Sequence, residues 1–223
     1  MTEREVRARV TLIFKEGDPT DPINYRPIAV LNTEYKLLTA VLADIILENI
    51  APWMIPKQQL ARKGIWGTMQ GFLWDKSCTQ AARAAGRSNH AAWYDFRQAY
   101  DSVSHVQLKR LIKALPIHTK AINTITSLMN KWALVARVGK ETTHPIHVKT
   151  GIYQGDTISP LMFMLLTAHI PEAVIKDPKI TRACKGKQEI AVYMDDYKTH
   201  APSSEAAERI KNTLEQAAGE VGL

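Results

Sequence analysis

Two adjacent carboxylates, Asp195 and Asp196, are the residues whose type and spacing most directly indicate chemistry. They follow the apolar run Ile190–Tyr193 and precede a second extended run, residues 197–200. This pattern predicts a strand, a tight turn and a second strand, with both acids at the turn. One Asp at a turn carries little information, because Asp suits turns. Two acids beside an apolar strand are costly unless a cation binds them, and hard divalent cations prefer carboxylate oxygens.

A third carboxylate, Asp95, lies near the end of another predicted short strand, residues 91–96. If the two strands are neighbours in one sheet, Asp95 meets Asp195 and three carboxylates converge. Such a cluster raises its own pKa values unless Mg²⁺ binds within it. Two ions held there would activate an attacking 3′-hydroxyl and stabilise a leaving pyrophosphate. The alternative is that Asp95 caps a turn or a helix, and local sequence leaves both interpretations open.

The segment Gly151–Pro160 combines backbone freedom with polar side chains. Gly151 and Gly155 allow the backbone to approach a ligand closely, and Gln154 offers both a donor and an acceptor. Residues 156–160 then begin a helix. A polar loop followed by a helix cap explains the same residues equally well.

Taken in chain order, the three segments resemble motifs A, B and C of reverse transcriptases. Upstream, residues 15–18 and 25–31 look like the fingers motif of non-LTR (LINE-like) retrotransposon and group II intron enzymes. The resemblance covers about residues 10–200. It implies an α+β fold with right-hand polymerase fingers and palm, the palm being an RRM-like antiparallel sheet backed by helices.

The resemblance implies a catalytic role and a metal-binding role for Asp95, Asp195 and Asp196, with two Mg²⁺ ions as cofactor and Mn²⁺ as a substitute. Asp95 and Asp195 are the expected essential pair, and the Phe96 carbonyl is an additional expected ligand. Asp101 is expected to be structural. The implied activity is RNA-directed DNA polymerase, a nucleotidyltransferase that adds dNTPs to a primer 3′-hydroxyl.

The same resemblance assigns a nucleotide pocket. Lys15 and Arg26 match the cations that hold the triphosphate, and Gln154 and Gly155 line the pocket. Tyr100 is expected to pack under the sugar and exclude ribonucleotides.

Nucleic-acid contacts follow by the same reasoning. Tyr193 and Met194 are expected to touch primer or template. Five basic residues either track the template–primer backbone or simply form a solvated helix face: Lys57, Arg62, Lys63, Arg83 and Arg87.

The implied organisation is fingers with the start of the palm over residues 1–90 and palm over residues 91–223. A return to the fingers near residues 133–150 is also expected. The thumb is expected to be missing, which leaves a fragment with weak duplex affinity and a tendency to self-associate. Its expected partners are an RNA template, a DNA primer, dNTPs and the accessory domains of a longer polypeptide.

Composition agrees with a polyanionic partner, because Lys and Arg exceed Asp and Glu by 29 to 22, a net charge of +7. Cys78 and Cys184 lie far apart and predict no disulfide framework, so an intracellular location is expected, nuclear if the source is a eukaryotic retrotransposon. No apolar run predicts a membrane span.

Alternatives to the polymerase interpretation are a domesticated, catalytically weak RNA-binding relative and a group II intron-type maturase. Tyr100 and Tyr193-Met194 argue against a viral RNA-dependent RNA polymerase. Such enzymes usually have a small or polar residue in place of Tyr100 and Gly-Asp-Asp in place of Tyr-Met-Asp-Asp.

Periodicity predicts the remaining elements. The predicted helices cover residues 33–50, 67–86, 106–115, 119–132, 159–176 and 203–219. Thr33 is the expected cap of the first helix, and Ser203 or Ser204 that of the last. The predicted strands cover residues 9–14 and 91–96, with a hairpin of residues 133–138 and 146–149 around Gly139-Lys140.

Overall fold

The computed structural model describes residues 1–138, 141–185 and 190–223. The chain forms two compact units, each built from two separate stretches. The first unit comprises Met1–Ala51 and Tyr100–Met162, and the second comprises Pro52–Ala99 and Phe163–Leu223. The assignment of residues 1–90 to the fingers and of residues 91–223 to the palm remains a prediction. The predicted turn at Gly139-Lys140 lies outside the described residues.

Each predicted helix and strand has a counterpart in the structure, whereas the strands at 25–30 and 141–142 and the short helices at 3–6, 99–102 and 178–183 are not among the predicted elements. The helices are α1 (Glu3–Val6), α2 (Thr33–Asn49), α3 (Gly67–Ala84), α4 (Ala99–Ser102), α5 (His105–Ala114), α6 (Thr119–Asn130), α7 (Ser159–Leu166), α8 (His169–Lys176), α9 (Pro178–Ala183) and α10 (Ser204–Gly219). The strands are β1 (Ala8–Phe14), β2 (Tyr25–Val30), β3 (His90–Asp95), β4 (Ala133–Val138), β5 (Glu141–Thr142), β6 (Ile146–His147), β7 (Ile190–Tyr193) and β8 (Asp196–Ala201). None of the helices in the described ranges is long and apolar enough to cross a membrane.

The first unit contains a mixed sheet in the order β2-β1-β4, with β5 and β6 both pairing with β4. The β1–β2 pair is an antiparallel hairpin, and β1 runs parallel to β4. A short 3-10 helix, Pro22–Asn24, leads into β2, and the Asp21 side chain caps it. Tyr35, Trp132 and Tyr153 form an aromatic cluster in the core of this unit.

The second unit contains an antiparallel sheet in the order β3-β8-β7. Along β8, Tyr197 and Thr199 point to one face of the sheet and are fully buried, whereas Lys198 between them points to the other face. The helix α10 packs against β3 and β8. The opposite face carries Trp93, which is 71% exposed. The predicted strand–turn–strand is confirmed, as are the pairing of its second strand with the strand that ends at Asp95 and the α+β class.

The apolar segment 159–176 forms two helices, so the prediction of one continuous helix is wrong. The break falls at Thr167 and Ala168, between α7 and α8. Pro171 explains it, because proline lacks an N–H group and its ring clashes with the carbonyl four residues earlier, that of Thr167. The chain instead makes a tighter bond, from the Ile170 N–H to the Thr167 carbonyl, at 3.0 Å.

Two helix starts also differ from or refine the predictions. Asn32, and not Thr33, caps α2, because its side chain accepts a hydrogen bond from the Glu34 N–H. Ser203 caps α10 and accepts from the Ala206 N–H, which decides between the two predicted serines. Asn and Ser are both favoured at this position, since their oxygens satisfy the first free amides of a helix.

Candidate active site

The three predicted catalytic acids lie at the same end of the β3-β8-β7 sheet. The β3–β8 register places Asp95 directly opposite Asp196, and the β7–β8 hairpin places Tyr193 opposite the same Asp196. Asp195 lies in the two-residue turn between them and is half-buried, whereas Asp95 and Asp196 are exposed. The cross-strand partner of Asp95 is therefore Asp196, one residue beyond the expected Asp195.

Their donor chemistry fits a divalent cation. Like charges directly opposite on neighbouring strands destabilise a sheet, and a bound cation removes that cost. All three donors are carboxylates, which Mg²⁺ prefers. Among the residues that the structure describes, however, no three His, Cys, Asp or Glu side chains are grouped closely enough to hold a metal ion. The residues are of the right kind and at the right end of the sheet, and ion binding would require them to draw together.

The turn that carries Asp195 has an unusual backbone. Met194 has a φ of 56°, in the left-handed region, and Asp195 completes the two-residue connection between β7 and β8. Hairpin turns of this length often need positive φ at the first position, where glycine is preferred. A side chain there costs roughly 1–2 kcal/mol, so this turn requires support from its surroundings.

A polar cluster on β8 begins two residues after Asp196. Lys198 and the fully buried His200 both contact the Asp75 carboxylate of α3, and His200 also bonds Asn89. The Lys198 ammonium lies 4.0 Å from the centre of the Trp93 ring. Burial opposes ionisation of Asp75, but hydrogen bonds from Lys198 and His200 outweigh it and hold its pKa below the ordinary value. No local sequence signal indicates this cluster, because its members lie on separate elements.

Replacing Asp75 with Asn is expected to destabilise the protein in a pH-dependent way. Since the folded-state pKa of Asp75 is lowered, its ionisation adds stability above the ordinary carboxyl pKa of about 4. That contribution is lost as pH falls through the folded-state pKa. Urea unfolding of wild type and variant should therefore give midpoints that differ at pH 5–7 and converge on acidification. A difference that widens below pH 4 contradicts the prediction, and Glu208→Gln on the exposed side of α10 is the control.

The predicted triphosphate ligands of the first unit lie at one end of the β1–β2 hairpin. Arg26 pairs with Ile13, and Lys15 follows β1 directly. The Lys15 N–H continues the ladder to the Asn24 carbonyl at 2.8 Å. Because side chains two apart in a strand share a face, Lys15 and Arg26 lie on the same face of the hairpin. Both are exposed.

Tyr100 and Gln154, predicted nucleotide contacts, belong to two segments that touch. The Ile152 N–H bonds the Tyr100 carbonyl at 2.9 Å, and the Gln154 side chain bonds Asp101. Gly151 has a φ of 85°, and a Cβ there would lie 2.9 Å from the Asp101 backbone. Burial raises the pKa of Asp101, although the bond with Gln154 opposes this. The structural role expected of Asp101 fits this contact.

Gly155 is required by backbone packing. Its φ is 117°, and an added Cβ would lie 2.8 Å from the Ala29 carbonyl of β2. The Ala29 N–H in turn bonds the Gln154 carbonyl at 2.9 Å. The loop therefore lies directly on β2, which gives this glycine a structural reason that is independent of any ligand.

The Asp156 side chain fixes the same loop to α2. Its buried carboxylate accepts hydrogen bonds from the Thr39 hydroxyl at 2.7 Å and the Tyr35 hydroxyl at 3.0 Å, both on α2. Tyr35 also accepts a bond from the Trp132 indole N–H at 2.9 Å. Burial raises the pKa of Asp156, and the bonds from Thr39 and Tyr35 oppose this. The local sequence around Asp156 predicts only a helix start and does not indicate these buried bonds.

Two open cavities adjoin the acid-bearing end of the second sheet. One, of about 380 Å³, is lined by residues that include Leu60, Arg62, Trp66 and Tyr193. The other, of about 470 Å³, is lined by residues that include Phe72, Trp93, Tyr193, Asp196 and Lys198. Trp66 is 81% exposed. Tyr193, a predicted primer or template contact, lines both.

An antiparallel sheet with carboxylates at one end, preceded along the chain by a glycine loop that lies on a strand hairpin, agrees with the polymerase fold that the sequence motifs predict. The model of the family described as reverse transcriptase (RNA-dependent DNA polymerase) matches residues 13–223. The chain belongs to this family.

Curated relatives include transposon proteins. The chain is 31% identical over 156 residues, 70% of its length, to a retrovirus-related Pol polyprotein from the type-1 retrotransposable element R2 of Popillia japonica. It is 28% identical over 198 residues, 85% of its length, to a probable RNA-directed DNA polymerase from transposon BS of Drosophila melanogaster. These matches span 22% and 20% of those proteins. The resemblance to non-LTR retrotransposon enzymes is confirmed.

Solved structures agree on the fold. The chain superposes on telomerase from Candida albicans with a TM-score of 0.67, at 12% identity, covering 97% of this chain and 41% of that one. Apo telomerase from Candida tropicalis gives a TM-score of 0.65 at 13% identity, covering 98% of this chain and 42% of that one. The fingers–palm type of fold is confirmed.

Proposed function

We propose that this chain is the core of an RNA-directed DNA polymerase that adds dNTPs to a primer 3′-hydroxyl, as part of a non-LTR retrotransposon protein. An RNA template and a DNA primer are its macromolecular partners. The names of the retrotransposon relatives support this source, and a place in a eukaryotic nucleus is part of the same proposal.

The observation that carries the proposal is the strand register at the acid end of the second sheet. Asp95 and Asp196 face each other across β3 and β8, and Asp195 occupies the adjoining turn. A sheet tolerates three carboxylates at one end at a cost in stability, and such a cost is a common property of functional sites. Family membership alone is a weaker argument than this register, because a member of the family can lack the three carboxylates.

In this proposal Asp95, Asp195 and Asp196 hold two Mg²⁺ ions, with the Phe96 carbonyl as a further donor. When bound, such ions make a primer hydroxyl more acidic and neutralise the charge that develops on a leaving pyrophosphate. Lys15 and Arg26 bind the triphosphate, for which a planar guanidinium and an ammonium are suited. Gln154, Gly155 and Tyr100 complete the proposed nucleotide pocket.

The surface of the second unit supports nucleic-acid binding. Exposed aromatic rings, such as Trp66 and Trp93, offer stacking platforms for bases, and Arg62 and Lys198 line the adjoining cavities. Tyr193, which lines both cavities, is proposed to contact the primer or template together with Met194, the next residue along the chain. The net charge of +7 favours a polyanionic partner.

Primer extension tests the proposal. The purified chain is incubated with poly(rA)/oligo(dT), dTTP and Mg²⁺ or Mn²⁺, and compared with the Asp95→Asn variant and with Glu208→Gln as a control. We expect extension that requires the metal and Asp95. Because the chain spans about a fifth of its relatives, a second preparation carries the longer polypeptide. Extension that persists in Asp95→Asn, or its absence from both preparations, contradicts the proposal.

Tyr100→Ala is expected to relax sugar selection. If the ring packs under the nucleotide sugar, it excludes a 2′-hydroxyl by contact, and removing it admits ribonucleotides. We expect the preference for dTTP over UTP to fall by at least about tenfold, equal to ~1.4 kcal/mol. The measurement is the ratio of kcat/KM values for the two nucleotides. Tyr100→Phe, which keeps the ring, should retain the preference, and an unchanged ratio in Tyr100→Ala contradicts this role.

A further inference from the structure

The turn that carries Asp195 is held by a residue far away in the sequence. Residues 58–60 extend the second sheet at the edge of β7, where the Val192 N–H bonds the Gln58 carbonyl at 2.9 Å and the Leu60 N–H bonds the Val192 carbonyl at 2.7 Å. Gln59 bridges to Val192 in parallel register. This short segment therefore runs beside the strand that leads directly into the acid-bearing turn.

α3 packs closely against the same segment. An added Cβ at Gly67 would lie 1.7 Å from the Leu60 carbonyl oxygen, and one at Gly71 would lie 3.2 Å from the Leu60 side chain. Only glycine fits at position 67, because a clash with backbone at that distance cannot be relieved by a side-chain movement. The segment is thus fixed between β7 on one side and α3 on the other.

The Gln59 side chain bonds both backbone groups of Met194. Its Oε1 accepts from the Met194 N–H at 3.0 Å and from the Ala61 N–H at 3.1 Å, and its Nε2 donates to the Met194 carbonyl at 3.4 Å. Two amide donors converge on one atom, so that atom must be the oxygen, which fixes the orientation of the amide. Gln59 is only 3% exposed.

Met194 is the residue with positive φ in this turn, so Gln59 bonds the peptide groups around the strained position. A buried amide with both ends satisfied resists rotation, and loss of it would leave the Met194 N–H without its partner. The turn could then relax toward conformations that aim Asp195 and Asp196 differently. The effect of Gln59 on the two carboxylates passes through the Met194 backbone, to which its side chain bonds.

We propose that Gln59 is a positioning residue that holds the backbone of the Met194–Asp195 turn in place while the side chains of Asp95, Asp195 and Asp196 draw together around a divalent cation. The functional significance of Gln59 rests on the proposed polymerase function, but the experiments that test its positioning role do not require polymerase activity. The direct consequences of that role are protection of one backbone amide and affinity for the ion itself.

The first measurement follows amide exchange. Protein labelled with ¹⁵N-methionine has six labelled backbone amides, including that of Met194, because the nitrogen of the seventh methionine, Met1, is the terminal amino group. In Gln59→Met, which keeps length and removes both polar groups, Met194 amide exchange should accelerate at least about tenfold, equal to ~1.4 kcal/mol. In Gln59→Glu, which keeps the accepting oxygen, protection should largely remain. Gln70→Met, on the exposed side of α3, is the matched control and should match wild type.

The second measurement is Mn²⁺ binding by electron paramagnetic resonance, with no nucleic acid or dNTP present. We expect Gln59→Met to weaken binding about tenfold, with Asp195→Asn as the reference for a lost ligand. Adding Met194→Gly should reduce the effect of Gln59→Met, because glycine adopts positive φ without strain. If a urea titration shows that Gln59→Met is unfolded, Gln59→Ala carries the test, and it is expected to show the same faster Met194 exchange and weaker Mn²⁺ binding.

The outcomes separate the two proposals. Unchanged Met194 exchange, or unchanged Mn²⁺ affinity in folded Gln59→Met, overturns the positioning role even if wild type extends primers. Faster exchange with weaker Mn²⁺ binding supports it even if no primer is extended, and in that case only the polymerase proposal fails. Where wild type is active, Gln59→Met should lower kcat and leave the KM for dTTP unchanged.

Discussion

Asp195→Asn is expected to reduce primer extension by at least about 10³-fold, equal to ~4 kcal/mol of transition-state stabilisation. Asn has the same shape as Asp and suits the same turn, so the β7–β8 hairpin should be retained. The lost quantity is one negative charge among three carboxylates that lie at one end of the sheet. The rate constant for single-nucleotide addition at saturating dTTP measures the effect, and Glu208→Gln serves as the control.

A stability measurement distinguishes lost chemistry from lost fold. Without metal, removing one of several neighbouring like charges should leave the free energy of unfolding unchanged or increase it. An inactive variant that is also strongly destabilised would point to a structural role for Asp195. Activity within tenfold of wild type would contradict the predicted role.

Asp196→Asn provides a comparison within the same site. The family resemblance ranks Asp196 below Asp195, whereas the strand register gives Asp196 the position opposite Asp95. If Asp196→Asn is the more damaging change, the register identifies the functional pair. If Asp195→Asn is more damaging, the turn must reorient when the ion binds.

Asp156→Ala is expected to cost about 3 kcal/mol of folding stability, a large share of the 5–15 kcal/mol typical of a domain. The substitution removes the acceptor for the Thr39 and Tyr35 hydroxyls and for the Thr157 N–H, and leaves these groups in a buried site. Urea unfolding at pH 7 measures the loss.

Two further variants sharpen this prediction. Asp156→Asn should cost less folding stability than Asp156→Ala, because an amide oxygen still accepts hydrogen bonds. Burial also raises the pKa of the Asp156 carboxyl, which favours its neutral form, and an amide resembles that form. Glu48→Ala, an exposed change on α2, should cost less than about 0.5 kcal/mol. Equal losses in Asp156→Ala and Glu48→Ala would show that the buried network contributes little.

Local sequence signals predicted the elements of the site well. The strand–turn–strand around Asp195, the strand ending at Asp95 and the Ser203 cap all depend on residues within a few positions of one another. Pro171 was an equally local signal, but the long apolar run around it masked the break at Thr167. A continuous run is a weaker indicator of helix continuity than a proline is of interruption.

Non-local contacts were beyond the reach of the sequence. The bond between Gln59 and Met194 joins residues 135 positions apart, and neither residue has a local feature that indicates the other. The register that opposes Asp95 to Asp196 depends on how β3 aligns with β8, which residue types in either strand do not specify. The Asp75 cluster combines α3 with β8 in the same way, at a separation of 125 positions between Asp75 and His200.

The interleaved stretches of the two units have a consequence for synthesis on the ribosome. Thr39 acquires its buried partner Asp156 only after another 117 residues have been made, which takes roughly 6–23 s at ordinary translation rates. Until then the apolar side of α2 stays uncovered. At that stage the second unit is also incomplete, because Phe163–Leu223 have not yet been made. The nascent chain therefore cannot complete one unit before starting the other. Chaperone binding to the first 51 residues during translation is the expected result.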